Sequence, residues 1–239
     1  MNLLDNPIWN ALRTRQSHLA LGNDRARRYP AEIGPLSGVP EESPACYEAL
    51  HALLAGPTDV LALFALHPPE PIPGWTLLRG GALYQMVRNT RVASDPVPAN
   101  LDLRKLTDDD APAMVALAEA TEPGPFRLRT LELGTFFGIF HDNRLVSMAG
   151  KRMHLPDFVE VSGVCTYPEA RGRGYARLLM SLVIDEIERG GDTAFLHVLT
   201  DNPAIRLYGN LGFQIRQTFH FAALRSADAP QDAPAAHLH

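Results

Sequence analysis

Cysteine is scarce here: the 239-residue chain has 2, Cys46 and Cys165, far apart in sequence. That excludes a disulfide framework and suits a reducing compartment, so a cytoplasmic protein is expected. Long apolar runs are missing too. The longest are broken by charge, Gly or Pro, which leaves no credible membrane helix and no membrane partner. The start, MNLLDNPIWN, lacks a basic segment followed by an apolar stretch and a cleavage site, so no export signal is expected. Basic residues are not in excess: Lys and Arg number 22 against 27 Asp and Glu, a formal charge of −5. A nucleic-acid footprint over the whole chain is therefore not expected. The 9 histidines show neither an H-x-x-x-H spacing nor a Cys/His cluster, so no metal is inferred. No internal repeat is visible.

What is present is an ordinary globular composition, 46% apolar and 21% charged. The length suits one large domain or two small ones. Residues 1–98 read as one α/β unit. Trp9, Leu12 and Leu19 suggest an amphipathic helix and Ala45–Leu54 another, while Asp59–Leu66 and Trp75–Val87 have strand composition. Arg25, Arg27 and Arg28 read as a solvated face. The Pro-rich stretch Ala93–Asn100 is a linker. The second unit spans 101–225. LDLRKL alternates like a half-buried strand. A helix capped by Thr107 or Asp108 follows, and then the turn-rich loop TEPGPF, Thr121–Phe126. GTFFGIF and RLVSMAGKRM form a hairpin across HDN, and FVEVSGVCT is a strand. After it come a glycine loop, a long helix ended by Gly190, the strand TAFLHVLT, the helix NPAIRLYGNLGF and a last strand, QIRQTFHFAAL. The tail 226–239 is Ala/Pro/Asp-rich and expected to be disordered. The order predicts an α/β fold with a mixed sheet.

The strongest local signal is Arg171-Gly172-Arg173-Gly174-Tyr175-Ala176 between a strand and a helix. A helix N-terminus offers unpaired N–H groups and a positive dipole end, and two glycines let a phosphate approach the backbone. Arg171, Arg173 and Arg177 add cationic charge in a chain that is acidic overall. A plain glycine turn before a surface helix is the competing explanation. The loop is not a P-loop, because no GK[ST] ends it. Nor is it a dinucleotide fingerprint, because position 177 is Arg where Gly is needed.

Arg171–Ala176 resembles the R/Q-x-x-G-x-G/A motif of the GNAT N-acetyltransferase superfamily, and NPAIRLYGNLGF resembles that family's N-x-x-A-x-x-L-Y-x-x-x-G-F segment. TEPGPF, GTFFGIF, LVSMAGKRM and EVSGVCTYP resemble a bacterial branch related to acyl-CoA N-acyltransferases of the glycine-acyltransferase type. The match covers about 101–225. The resemblance implies a mixed, mostly antiparallel sheet flanked by helices, with residues 1–98 as a degenerate copy of the same fold packed on the catalytic half.

It also implies an enzyme that transfers an acetyl group from acetyl-CoA to a small-molecule or peptide amine, acting as a monomer or homodimer. A catalytically inactive acetyl-CoA sensor is the alternative. The pantetheine arm would lie along Val164, Cys165 and Thr166, with the pyrophosphate on Arg171, Gly172, Arg173, Gly174, Tyr175, Ala176 and Arg177. Tyr208 would protonate the leaving thiolate, because a phenol stays protonated at neutral pH. Asn202 would contact the cosubstrate, although the family register falls on Asp201, and a helix cap would explain either residue. Glu160 is the candidate base. In ideal strand geometry Glu160, Ser162, Val164 and Thr166 share one face and Cys165 the other, which makes Cys165 a buried structural thiol. His154 and His197 read as surface or core residues that could also face the acceptor. TEPGPF, Phe126 included, is expected to shape the acceptor pocket.

Overall fold

The computed structural model describes residues 2–94 and 96–230. Three two-residue strands, β1 (Leu21–Gly22), β2 (Arg27–Arg28) and β3 (Ser37–Gly38), form a small ladder beside helices α1 (Pro7–Arg13) and α2 (Pro44–His51). Then come β4 (Leu61–Ala65), β5 (Trp75–Arg88), β6 (Asp102–Lys105) and α3 (Ala111–Thr121). The second half holds β7 (Phe136–His141), β8 (Arg144–Leu155), β9 (Phe158–Thr166), α4 (Tyr175–Arg189), β10 (Thr193–Leu199), α5 (Ile205–Asn210) and β11 (Phe213–Ser226). Eight strands make one sheet in the order β4-β11-β5-β10-β9-β8-β7-β6. Only the β9–β10 pair is parallel; the others are antiparallel. The expected mixed, mostly antiparallel sheet is what forms.

Local chemistry sets the element ends. Thr107 and Asp110 form a reciprocal capping box ahead of α3, and Glu122 closes that helix in the left-handed region at φ 50°. Asp142 and Asn143, at φ 49° and 63°, make the two-residue hairpin between β7 and β8. The 15 residues of α4 bury Leu179, Met180, Val183, Ile184 and Ile187 against the sheet. Ala194, Leu196 and Val198 of β10 face that helix, while Phe195 faces the cluster around α1, so the sheet is covered on both faces.

The division at residue 98 does not separate two units. β5 lies inside the sheet between β10 and β11, and β4 continues it beyond β11. Besides its own three-stranded ladder, the N-terminal segment therefore supplies an inner strand and an edge strand to the shared sheet. Arg28 is not on a solvated face: its side chain is 1% exposed, paired with Asp59 and bonded to the carbonyls of Tyr29 and Leu53. Of the tail expected to be disordered, Ser226 ends β11 and the amide of Ala227 donates to the carbonyl of Gly74; 231–239 lie outside the described residues. Among the described residues no helix is long and apolar enough to cross a membrane.

Candidate functional site

The parallel pairing of β9 with β10 covers three positions, Thr193↔Phe158, Ala194↔Val159 and Phe195↔Glu160, and then stops. Beyond Glu160 the strands part. β9 carries a bulge there: between its pairs with Gly150 and Met148 it spends one more residue than β8. Gly163 sits in that bulge at φ 61°, and a Cβ on it would fall 2.8 Å from the Phe136 ring. Both facts require glycine. The fork opens into a cavity lined by Val161–Val164 of β9, Leu196–Leu199 of β10, Asn202 and Tyr208. Among the described residues the fork-side edge of β9 has no strand partner there, so an extended guest can pair with it as an added strand does.

β9 leads through Tyr167–Ala170 to the glycine loop. Gly172 and Gly174 are left-handed at φ 77° and 78°, and a Cβ on either would meet nothing within 4 Å. Their identity is thus set by backbone conformation, and the space in front of them is open. Gly174 is the N-cap of α4 and supplies no side-chain cap, which leaves the helix N–H groups available to an anion. Arg171 and Arg173 are exposed, while Tyr175, Ala176 and Arg177 are half-buried. Arg171 Nε donates to the carbonyl of Thr166 at 3.2 Å, and the Tyr175 hydroxyl lies 2.8 Å from His141 Nε2. The loop has the shape and charge that a pyrophosphate needs.

Tyr208 lies on α5, 9% exposed, with its ring in the core under α4 and its side chain on the fork. Burial alone pushes its phenol up to about 12, which keeps it protonated at neutral pH. Asn202 sits in the turn just ahead of α5. Its Oδ1 accepts from the amide of Ala204 at 2.8 Å, and the residue lines the cavity, whereas Asp201 is exposed and does not.

Glu160 is not placed as a base. It is fully buried, and its Oε2 and Oε1 accept from Arg152 Nε at 2.6 Å and Nη2 at 2.8 Å. Oε1 also lies 2.8 Å from His197 Nδ1. Burial would push its carboxyl up, but the Arg152 charge and hydrogen bonds outweigh that and hold it down at about 2. His197 is committed as well. Gln85 Nε2 donates to the carbonyl of Leu4 and Gln85 Oε1 accepts from Arg216, so the Gln85 amide also donates toward His197 Nε2. His197 is then neutral, with its Nδ1–H donated to Glu160, and burial lowers its pKa.

The ideal strand phase also fails, because the bulge at Gly163 reverses it. Val164 joins Val159 and Val161 on the α4 side, while Cys165 packs with Met148 and Phe136 on the other, the side of Glu160. Cys165 is buried and its thiol pushed up to about 12 by burial, an inert structural thiol. Thr166 Oγ1 bonds Ser147 Oγ at 2.7 Å. Phe126 is buried edge-on against Phe136 and borders the small pocket beside Arg152, Ser162 and Gly163, while Glu122, Pro123, Gly124 and Pro125 of that loop line the main cavity. Sequence reasoning missed Arg152, and it missed Leu36, Ala62, Phe64 and Arg79 from the N-terminal segment, all cavity residues. The signal for Arg152 was a cation in an otherwise buried strand, facing an acid across a hairpin. Among the described residues no group of three His, Cys, Asp or Glu side chains could hold a metal.

Comparison with known proteins agrees with this geometry. Residues 136–222 match the family model described as FR47-like protein. The chain is 38% identical to a Novosphingobium aromaticivorans protein assigned to the GNAT acetyltransferases, over 95% of this chain and 100% of that one, with a TM-score of 0.87. A GCN5-related N-acetyltransferase from Kribbella flavida shares the fold at 18% identity, over 92% of each chain, with a TM-score of 0.60. The search of curated proteins found no match.

Proposed function

This chain belongs to the GNAT acetyltransferase family, and on that premise we propose that it transfers an acetyl group from acetyl-CoA to a primary amine by direct attack in a ternary complex. The observation that carries this is the fork: an unpaired strand edge runs from an open glycine loop to a cavity holding a protonated phenol. The glycine loop and the N-terminus of α4 hold the pyrophosphate, with Arg171, Arg173 and Arg177 around it. The β9 edge from Val161 to Thr166 pairs with the pantetheine arm, and Asn202 supplies an amide contact. The amine nitrogen attacks the thioester carbonyl, the C–N bond forms, the C–S bond breaks, and Tyr208 gives its proton to the departing thiolate. With Glu160 and His197 committed to each other, the amine proton leaves to solvent, and solvent returns a proton to the Tyr208 phenolate. Arg152 favours a neutral amine by its positive charge.

The test is release of free CoA from acetyl-CoA across a panel of primary amines, with the acetylated product identified by mass. Amine-independent hydrolysis alone, or tight acetyl-CoA binding without turnover on any amine, would refute the reaction.

A further inference from the structure

The acceptor side of the cavity holds a guanidinium with a nitrogen to spare. Arg152 spends Nε and Nη2 on Glu160. Its Nη1 has no hydrogen-bond partner among the described residues, yet it is not among the buried polar atoms left without one. The Arg152 side chain keeps 13% exposure where its partner Glu160 keeps 1%, and Arg152 lines the cavity beside Ser162 and Gly163. A donor of a charged group therefore opens onto the cavity where the fork begins.

The surroundings decide what it can take. Leu36, Ala62, Phe64 and Phe221 make the acceptor side apolar. The charged groups that line it are Arg152, Arg79 and Glu122; Arg79 and Glu122 are exposed. Ser162 adds a hydroxyl, and His197 is neutral. The buried carboxylate, Glu160, is already saturated. Nothing in the interior would hold a second ammonium, and a polycation would face the Arg152 guanidinium. An oxygen anion would find a charge-assisted donor in an apolar setting, where such a bond is strong.

From this we propose that the acceptor amine carries an anionic group of its own, carboxylate or phosphate, and that Arg152 Nη1 binds it, with Glu160 positioning the guanidinium from behind. The proposal rests on the acetyl-transfer reading and narrows its substrate class. It makes Arg152 a specificity residue and gives Glu160 a reason to be buried beside a site where it does no proton transfer.

The experiment compares matched amines, β-alanine with its amide and phosphoethanolamine with ethanolamine, on the wild type and Arg152→Lys. Lysine keeps the charge and can still pair with Glu160, but it has no planar fork and no third nitrogen for the cavity. The wild type should prefer an anionic member; which pair shows this separates carboxylate from phosphate. In Arg152→Lys the KM for that member should rise at least tenfold more than the KM for its neutral partner. An equal fall for both members would assign the nitrogen to the reaction or the fold, and a wild type that prefers the neutral members would overturn the proposal outright. Should the variant not fold, acetate and phosphate serve as inhibitors of the wild type: inhibition competitive with the acceptor supports the site, and inhibition competitive with acetyl-CoA alone overturns it. If no amine is acetylated at all, the acetyl-transfer reading has failed. Calorimetry with β-alanine and its amide then reads the anion site independently, and equal binding of the two would sink it.

Discussion

Replacing Glu160 by Gln separates two accounts of that residue. As a base, Glu160 would have to take a proton from an ammonium whose ordinary pKa is about 10.4. Its own carboxyl is held at about 2. The gap is about 8 units, roughly 11 kcal/mol uphill, at 1.36 kcal/mol per unit. A carboxylate so acidic cannot be the acceptor in an efficient step. As a member of the buried chain Arg152–Glu160–His197–Gln85–Arg216, it has a different value. That chain crosses the neighbouring strands β8, β9, β10, β5 and β11 beside the last paired position of the fork. A glutamine there can still accept from Arg152, but its amide hydrogens face other donors, and Arg152 loses its counter-charge. Breaking a buried pair by removing one partner costs about 3–5 kcal/mol. At about 2–4 °C per kcal/mol for a chain this size, Tm should fall by about 6–20 °C. The decisive assay is the pH profile of kcat/KM, taken well below that Tm. Its acid limb should keep its position in Glu160→Gln, with a lower plateau from the disturbed fork. A variant of unchanged Tm whose profile loses that limb would make Glu160 the base and refute this reasoning.

Three further outcomes are expected. Tyr208→Phe keeps the ring and removes the phenol, so kcat should fall about 10²-fold with acetyl-CoA affinity within a few-fold; a kcat within threefold of wild type, with chemistry rate-limiting, would assign Tyr208 to the core. Gly174→Ala adds a Cβ that meets no neighbour but sits at φ 78°, so the loop must shift; acetyl-CoA affinity measured by calorimetry should drop about tenfold, and unchanged affinity would take the pyrophosphate off this loop. Stability should fall on acidification in two stages. Burial, the charges of Lys151 and Arg15 reinforcing it, lowers His154 to about 4, and His197 is lowered as well. These histidines are neutral when folded, so the unfolded chain binds protons first and stability declines as pH falls from about 6.5. Glu160 contributes stability above its unfolded value near 4.5, and that is lost as pH falls toward about 2. Tm followed from pH 7.5 to 4.5 checks the first stage, and a flat curve there would contradict the neutral-histidine assignment.

The parts of the fold that sequence made legible are those governed by neighbours in the chain. The β7–β8 hairpin announces itself through Asp142-Asn143, α3 through a cap at Thr107 or Asp108, and α4 through its apolar stripe and Gly190. What stayed hidden depends on partners distant in sequence. Nothing in Trp75–Arg88 says that it will pair with β10 on one side and β11 on the other, so the Pro-rich stretch after it looked like a boundary. Arg28 read as solvated because its acid, Asp59, lies 31 residues on, in the loop before β4. The cavity inherits the same blindness: Leu36, Ala62 and Phe64 come to it through strand pairing alone.

Within the site the dividing line is the bulge at Gly163. The loop glycines and Tyr208 are set by local sequence: the glycines lie between β9 and α4, and Tyr208 lies on α5. Counting by twos along β9 then put Glu160 on the face of Val164, whereas one extra residue puts Glu160 and Cys165 together and turns Val164 to the α4 side. The glycine that permits the bulge stands in the sequence, but so do Gly138 and Gly150 on the adjacent strands. Those two are glycine because a Cβ would strike Leu145 or Phe136, and neither has the left-handed φ of Gly163. One residue type thus answers two different demands, and only the register tells them apart. The same irregularity that defeats the alternation rule lies where β9 turns away from β10, so the position where the pattern breaks is the position where the cavity begins.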